Sequence, residues 1–212
     1  MVVNTSKSFI MQFSRSKKYD FPLDFSIGNS GPMVEMKTMK ILGIQVQSNL
    51  KWDSQVEAMI RKASKNIWTL RRMKALGVDQ PTLVKYWKSE GRVHLEMACP
   101  VWHSSLTGAQ SRSLERCQRV AMAAIVGCWA PSLTEQLEAL GLERLDGRRE
   151  KLCSRWAKNT ALKSRHKDIF TPVTGGPLRQ AKKSRKYYEP RARTAGYRRS
   201  AVPYLTRLLN SD

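Results

Sequence analysis

Apolar residues change their spacing twice along the chain, and the first spacing is that of strands. In the stretch 40–47, Leu42, Ile44 and Val46 alternate with glycine or glutamine. Alternation of period two predicts a strand. The apolar residues within 2–13 predict a second extended segment, and "GNSGP" at 28–32 indicates a loop between the two. The first fifty residues therefore predict a small β unit.

After Trp52 the apolar residues recur at helical spacing. The first helix has five inward positions: Val56, Ile60, Ala63, Ile67 and Leu70. Ser54 and Glu57 are spaced as a capping box at its start, and Gly77 is a stop signal. The same signals, with Asp79 and Ser132 as the starts of two helices, predict four further helices, at about 79–99, 109–126, 132–140 and 146–163, with a break at 100–108. Short connections of this kind favour antiparallel packing of neighbouring helices.

Most of the six tryptophans lie in or beside these predicted helices. Large aromatic side chains at such positions belong more often to the core than to a binding surface. We therefore expect the following tryptophans to pack inside: Trp68, Trp87, Trp129 and Trp156.

From residue 165 onward, core-forming residues become sparse, and cations, prolines and glycines are frequent. This composition predicts a partly disordered tail that ends in a short helix or docking segment at 201–210. The predicted fold class is thus mainly α (α+β). It comprises a β segment at 1–52, an antiparallel helical domain at 53–164 and a basic C-terminal extension at 165–212.

The net charge of the chain gives the first indication of function. The 38 lysines and arginines outnumber the 17 acids, giving a formal net charge of +21 and a pI near 10.3. A field of this sign favours polyanions such as RNA or DNA, or an anionic membrane surface. The alternative interpretation is a cationic surface that serves solubility alone.

Within the tail, tyrosines are interleaved with cations, a pattern in which cations meet phosphates and aromatic rings stack on bases. The candidate nucleic-acid-binding residues there are Arg179, Lys182, Lys183, Arg185, Lys186, Tyr187, Arg191, Arg193, Tyr197, Arg198 and Arg199. The alternative is a basic linker whose tyrosines pack on the helices.

Catalytic signals are not found in the sequence. No two of the 17 acids are adjacent, whereas a two-metal site needs carboxylates held together. There is no G-x-S-x-G or H-E-x-x-H motif. The four cysteines have no metal-binding spacing and favour a reducing, intracellular compartment. The longest apolar run is too short for a membrane span, and the first residues do not form a secretory signal. We predict no catalytic or metal-binding residues, no cofactor and no small-molecule or membrane partner.

Six stretches share their order and spacing with one known family. They are "NTSKSFIMQF" at 4–13, "KILGI" at 40–44, "LKW" at 50–52, "LEMACPVW" at 95–102, "LERCQ" at 114–118 and "LEALGLERLDGRR" at 137–149. Together they resemble the end of the palm and the thumb in reverse transcriptases of non-LTR (LINE-type, jockey/CR1-like) retrotransposons. Ile41 and Met97 depart from the pattern, since the family has tyrosine at both positions.

The resemblance implies a role for three further residues. Lys7 corresponds to a lysine near the leaving pyrophosphate, and Lys40 and Gly43 belong to the stretch that grips the primer. The family's catalytic Phe/Tyr-Ala-Asp-Asp turn would precede Asn4. The resemblance thus implies a truncated RNA-directed DNA polymerase that binds nucleic acid non-specifically and has no polymerase activity of its own. Mg²⁺ would be expected only for the intact enzyme. The alternative is a stand-alone basic helical module of a ribonucleoprotein.

Overall fold

A computed structural model describes residues 4, 8–13, 26, 31, 33–127, 132–162, 168–173 and 186–211. These residues are mainly helical, as the sequence predicts, and include one small antiparallel sheet of two strands. The chain divides into two compact units, Met1–Met59 and Ile60–Asp212. The division lies inside the first helix.

The first unit contains a β-hairpin where one strand was predicted. Strands β1 (Thr38–Ile41) and β2 (Ile44–Gln47) pair with Ile41 opposite Ile44, so Leu42 and Gly43 form a two-residue turn. Both turn residues have positive φ, 47° and 90°. A tight hairpin turn of this hand matches the twist of its strands. The prediction of one strand over 40–47 was wrong. A two-residue turn leaves the alternation of apolar and polar residues unbroken, so the pattern does not reveal the turn.

Two glutamines fasten this hairpin to the start of helix α1 (Asp53–Ala75). The side-chain oxygen of the buried Gln55 accepts the backbone N–H of Gln45 at 2.8 Å. In return, the side-chain oxygen of Gln47 accepts the N–H of Ser54 at 3.0 Å. Ser54 therefore lies inside the first helical turn, and the predicted capping box does not form there.

The second unit contains the remaining helices. They are α2 (Gln80–Tyr86), a π-helical turn (Trp87–Gly91), α3 (Val93–Glu96), α4 (Cys99–Trp102), a 3₁₀ turn (His103–Ser105), α5 (Gly108–Val126), α6 (Leu133–Ala139), α7 (Leu145–Ala161), α8 (Ala195–Arg198) and α9 (Ala201–Ser211). The predicted caps Asp79 and Ser132 both form, each accepting a backbone N–H from three residues ahead. Residues 100–108 were predicted as a break but contain part of α4 and the 3₁₀ turn.

The core of this unit lies around α7, which packs against α4, α5 and α9. Trp87 and Trp102 are fully buried in it. The tail also contributes to it, since Phe170, Leu205 and Leu209 are buried. Leu205 and Leu209 lie in the predicted terminal segment, which is confirmed as helix α9, whereas Phe170 is a core residue in the stretch where little core was expected.

Candidate nucleic-acid interface

The predicted binding residues are only partly within the described chain. Five of them lie outside it: Lys7, Arg179, Lys182, Lys183 and Arg185. In the first unit, Lys40 is exposed on β1 and Gly43 occupies the hairpin turn next to Leu42, which is 97% exposed. The hairpin thus presents one cation and one apolar side chain to solvent.

Tyr187 makes contacts within the fold through both its backbone and its ring. Its backbone N–H donates to the side-chain oxygen of Asn210 at 2.9 Å, and its carbonyl accepts the Asn210 amide at 3.0 Å. Its ring meets Phe170 edge-on, with centroids 6.4 Å apart. Tyr188, one residue later, is 63% exposed. Of this pair, Tyr188 has the ring surface that a base could stack on.

The remaining predicted residues of the tail are all exposed: Lys186, Arg191, Arg193, Tyr197, Arg198 and Arg199. Helix α8 holds the last three together, because Thr194 caps it by accepting the N–H of Tyr197 at 3.2 Å. Arg207 donates to the carbonyl of Arg198 and to Glu189, which fixes the end of α8 against α9. The structure therefore gives Tyr197 and its neighbouring arginines a folded support.

Helix α1 carries a second cationic surface that the sequence analysis did not identify. Between Arg61 and Ala75 it has six cations and no acid. Trp68 is 64% exposed at the centre of these residues, and the Arg72 guanidinium lies 5.9 Å from its ring centroid. The prediction that Trp68 belongs to the core was wrong, and so was the same prediction for Trp156, which is 41% exposed, while Trp129 lies outside the described residues.

Helical geometry places four of these cations around Trp68. Residues three, four or seven apart share a helix face. The exposed cations at these offsets are Arg61, Lys65, Arg71 and Arg72. We call Trp68 with these four cations the α1 surface. Proteins that bind single-stranded nucleic acid use this arrangement, in which bases stack on an exposed aromatic ring and phosphates contact the surrounding cations.

Two acids elsewhere in the second unit pair with cations outside helix α1. Glu96 pairs with Arg92 at 3.0 Å and with Arg148 at 2.7 Å. Glu143 pairs with Arg148 and Lys151, and these bonds hold the pKa of Glu143 below its ordinary value. These carboxylates bind Arg92, which precedes α3, and two cations of α7, so they do not pair with the cations of the α1 surface.

A buried polar cluster beneath α5 has a structural role. The guanidinium of Arg149 is fully buried and donates to His103 Nδ1 and Ser111 Oγ, both at 3.3 Å. Burial and the charge of Arg149 lower the pKa of His103 to about 4, so its imidazole is neutral at pH 7 and accepts this bond. The Cys99 and Cys153 sulfurs lie 3.9 Å apart nearby, both buried.

The described residues bear on two further possibilities, a metal site and a membrane-spanning helix. There, no three histidine, cysteine or acidic side chains come together as a metal site. The helices of the same residues include none with the length and apolar character needed to cross a membrane. Comparisons with models of protein families, with curated proteins and with solved structures found no match.

Proposed function

We propose that this protein is a nucleic-acid-binding helical module that holds single-stranded RNA or DNA without sequence preference. The observation that carries the proposal is the α1 surface, where an exposed tryptophan stands among four cations and no acid. A fully buried indole contributes about 1.5–3 kcal/mol or more to folding. Leaving Trp68 in water forgoes much of that contribution, and base stacking would recover it.

The tail supplies a second part of the proposed interface. Arg191, Arg193, Tyr197 and the cations that follow are exposed on folded backbone. Each phosphate neutralised releases counterions, so binding through these residues would depend strongly on salt. This charge-driven term makes the proposed binding tolerant of sequence.

We further propose that the module is related to the thumb of non-LTR retrotransposon reverse transcriptases. The six sequence stretches described above support this, since they follow the order of the family and together span residues 4–149. We propose that Lys40 and Gly43 occupy the family's primer-gripping position. We expect no polymerase activity from this chain, and template-dependent primer extension with Mg²⁺ would contradict that expectation.

Binding is tested by fluorescence anisotropy with labelled oligo-uridine RNA over a salt series. Trp68→Ala should weaken binding about five- to a hundredfold, the range measured for loss of one stacked base, with little change in salt slope. Leu162→Ala is the matched control, because Leu162 is an 83% exposed apolar residue at the end of α7. An affinity for Trp68→Ala within twofold of the control would overturn the stacking role.

Charge is tested separately from stacking. The double variant Arg61→Gln/Lys65→Gln should reduce the slope of log K against log salt by about 1.4, at about 0.7 per phosphate contact on single strands. Deletion of the tail is unsuitable as a test, because Leu205 and Leu209 are part of the core. An unchanged slope would show that the α1 cations do not meet phosphates.

A further inference from the structure

A cleft beside helix α5 of the second unit is lined by arginines that do not belong to the α1 surface. An open cavity of about 700 Å³ lies between α5, the start of α6 and the start of α7. Eight residues line it: Ser111, Arg112, Glu115, Arg116, Arg119, Leu133, Arg144 and Asp146. Four guanidinium groups thus face one cavity with two carboxylates. We call it the arginine cleft.

Both carboxylates of the arginine cleft are already occupied. Asp146 accepts two bonds from Arg144, at 2.6 and 3.1 Å, and this pair holds the pKa of Asp146 near 2. Glu115 accepts the backbone N–H of Leu145 at 3.1 Å, and so satisfies the first turn of α7. The two acids therefore bind groups of the protein itself and neutralise only part of the positive charge in the cleft.

Arg112 and Arg116 keep their charge for a ligand. They lie four residues apart on one face of α5, both are exposed, and neither pairs with another described residue. Arginine presents a planar fork of donors that matches the oxygens of phosphate.

The base of the cleft also offers a hydrogen-bond donor to an anion. Ser111 Oγ accepts a hydrogen bond from the buried Arg149 at 3.3 Å. Its own hydroxyl hydrogen is then left to donate into the cavity that Ser111 lines. The Nη1 atom of Arg149 is buried without a partner among the described residues, so its positive charge is poorly compensated beneath the base of the cleft. Arg149 thereby acts as a positioning residue for Ser111.

From this geometry we propose that the arginine cleft is a binding site for phosphate groups, with Arg112, Arg116 and Ser111 as its donors. Its phosphate can come from a nucleic-acid strand or from a free oligophosphate. The first source rests on the proposed function, since it makes the cleft a second contact for the same strand. The second source is independent of it.

The experiment uses the full chain and two probes, inorganic tripolyphosphate and oligo-uridine RNA. Binding of tripolyphosphate is measured by calorimetry, and binding of RNA by anisotropy at constant salt. The variant Arg116→Glu is compared with Arg155→Glu, which makes the same change of net charge on α7. Arg155 is exposed and lies ten residues beyond Leu145, about 15 Å along the helix.

The expected result is that Arg116→Glu weakens tripolyphosphate binding at least about tenfold, the loss of one charge-assisted contact, while Arg155→Glu changes it less than about twofold. A parallel loss of RNA affinity assigns the phosphate to a nucleic-acid strand, and unchanged RNA affinity assigns it to a free oligophosphate. Arg116→Lys should recover only part of the affinity, because lysine keeps the charge without the fork.

Two results would overturn the proposal. Equal losses in Arg116→Glu and Arg155→Glu would show a response to net charge alone. No loss of either ligand in Arg116→Glu would show that the cleft binds no phosphate. The proposed function fails separately: it falls if the wild-type chain does not bind RNA, whereas the cleft can still bind tripolyphosphate. Thermal unfolding of each variant without ligand confirms that these exposed substitutions leave the fold intact.

Discussion

The guanidinium carbon of Arg149 lies 5.8 Å from the centroid of the Trp102 ring, and both side chains are fully buried. This contact joins α7 to α4 in the middle of the second unit. Burial lowers the pKa of Arg149, and the nearby Glu115 and Asp146 partly offset this effect. The core of this basic protein therefore contains a cation that has lost most of its water.

We expect the neutral variant Arg149→Met to be tolerated better than Arg149→Lys. Buried charged groups replaced by apolar ones of similar size often leave stability unchanged, whereas a poorly satisfied buried charge costs several kcal/mol. Lysine would keep the charge but could not form the fork that reaches both His103 and Ser111. The expected cost is below about 1.5 kcal/mol for methionine and about 3 kcal/mol for lysine. Urea unfolding measures both, and a larger cost for methionine would mean that the charge itself stabilises the core.

Stability should fall with acidification through the range in which His103 titrates in the unfolded chain. The pKa of His103 is about 4 in the folded protein, against about 6.5 when unfolded. Because the folded value is the lower one, the unfolded state binds the proton first. The stability that neutral His103 supports is present above pH 6.5 and is lost as pH falls towards 4. The loss amounts to about 3 kcal/mol once both states are protonated, at about 1.4 kcal/mol for each pKa unit.

The variant His103→Gln isolates this effect, because an amide oxygen can still accept the bond from Arg149 and does not titrate. Urea unfolding between pH 4 and 7 should show a flatter pH dependence for the variant than for the wild type. Asp146 does not interfere, since its lowered pKa near 2 shifts its contribution below pH 4. Glu115 has a raised pKa and acts in the opposite direction, but it is present in both proteins. Equal slopes would show that His103 is not held neutral.

Local signals in the sequence were enough to place most helices. Asp79 and Ser132 are short polar residues before helical apolar patterns, and each caps a helix as predicted. The inward positions Ala63, Ile67 and Leu70 are buried. That result also bears on Trp68, because neighbours on a helix point about 100° apart and Ile67 already faces the core. The periodicity therefore favoured an exposed Trp68, while the general preference of tryptophan for cores favoured the opposite.

The features that depend on contacts between distant residues were not predictable in this way. The arginine cleft combines Arg116 with Arg144, which come together only when α7 packs against α5. The sequence "GRRE" likewise does not tell which arginine is inside. Arg149 is fully buried, whereas Arg148 is partly exposed and pairs with Glu96. One step along a helix decides between a buried charge and a surface ion pair.

The hairpin of the first unit should gain stability from a better turn residue at position 42. Leu42 has φ of 47° and is 97% exposed, so it has the cost of a left-handed backbone without the benefit of burial. Asn-Gly is the favoured sequence for such a turn. Leu42→Asn should stabilise by about 0.5–1.5 kcal/mol, and the β-branched control Leu42→Val should destabilise. Hydrogen exchange of the β1–β2 amides measures both, and equal protection in the two variants would contradict the turn geometry.

Gly91 should tolerate no side chain, although glycine normally weakens a helix by about 1 kcal/mol relative to alanine. It closes the π-helical turn directly against the ring of the fully buried Trp87. A Cβ atom at Gly91 would stand 2.0 and 2.2 Å from two carbons of that ring. Since the indole is fully buried, moving it would disturb the packed core, and Gly91→Ala should destabilise by about 1–3 kcal/mol despite the better helix propensity of alanine.

Gly147 is the matched control, because it is also a helical glycine and a Cβ there would meet nothing within 4 Å. Gly147→Ala should therefore stabilise by about 0.5–1 kcal/mol. Thermal unfolding of the two variants beside the wild type should move the midpoint in opposite directions. If both variants were stabilised, the ring of Trp87 would not pack on Gly91. The π-helical turn would then need another cause than the close approach of these two residues.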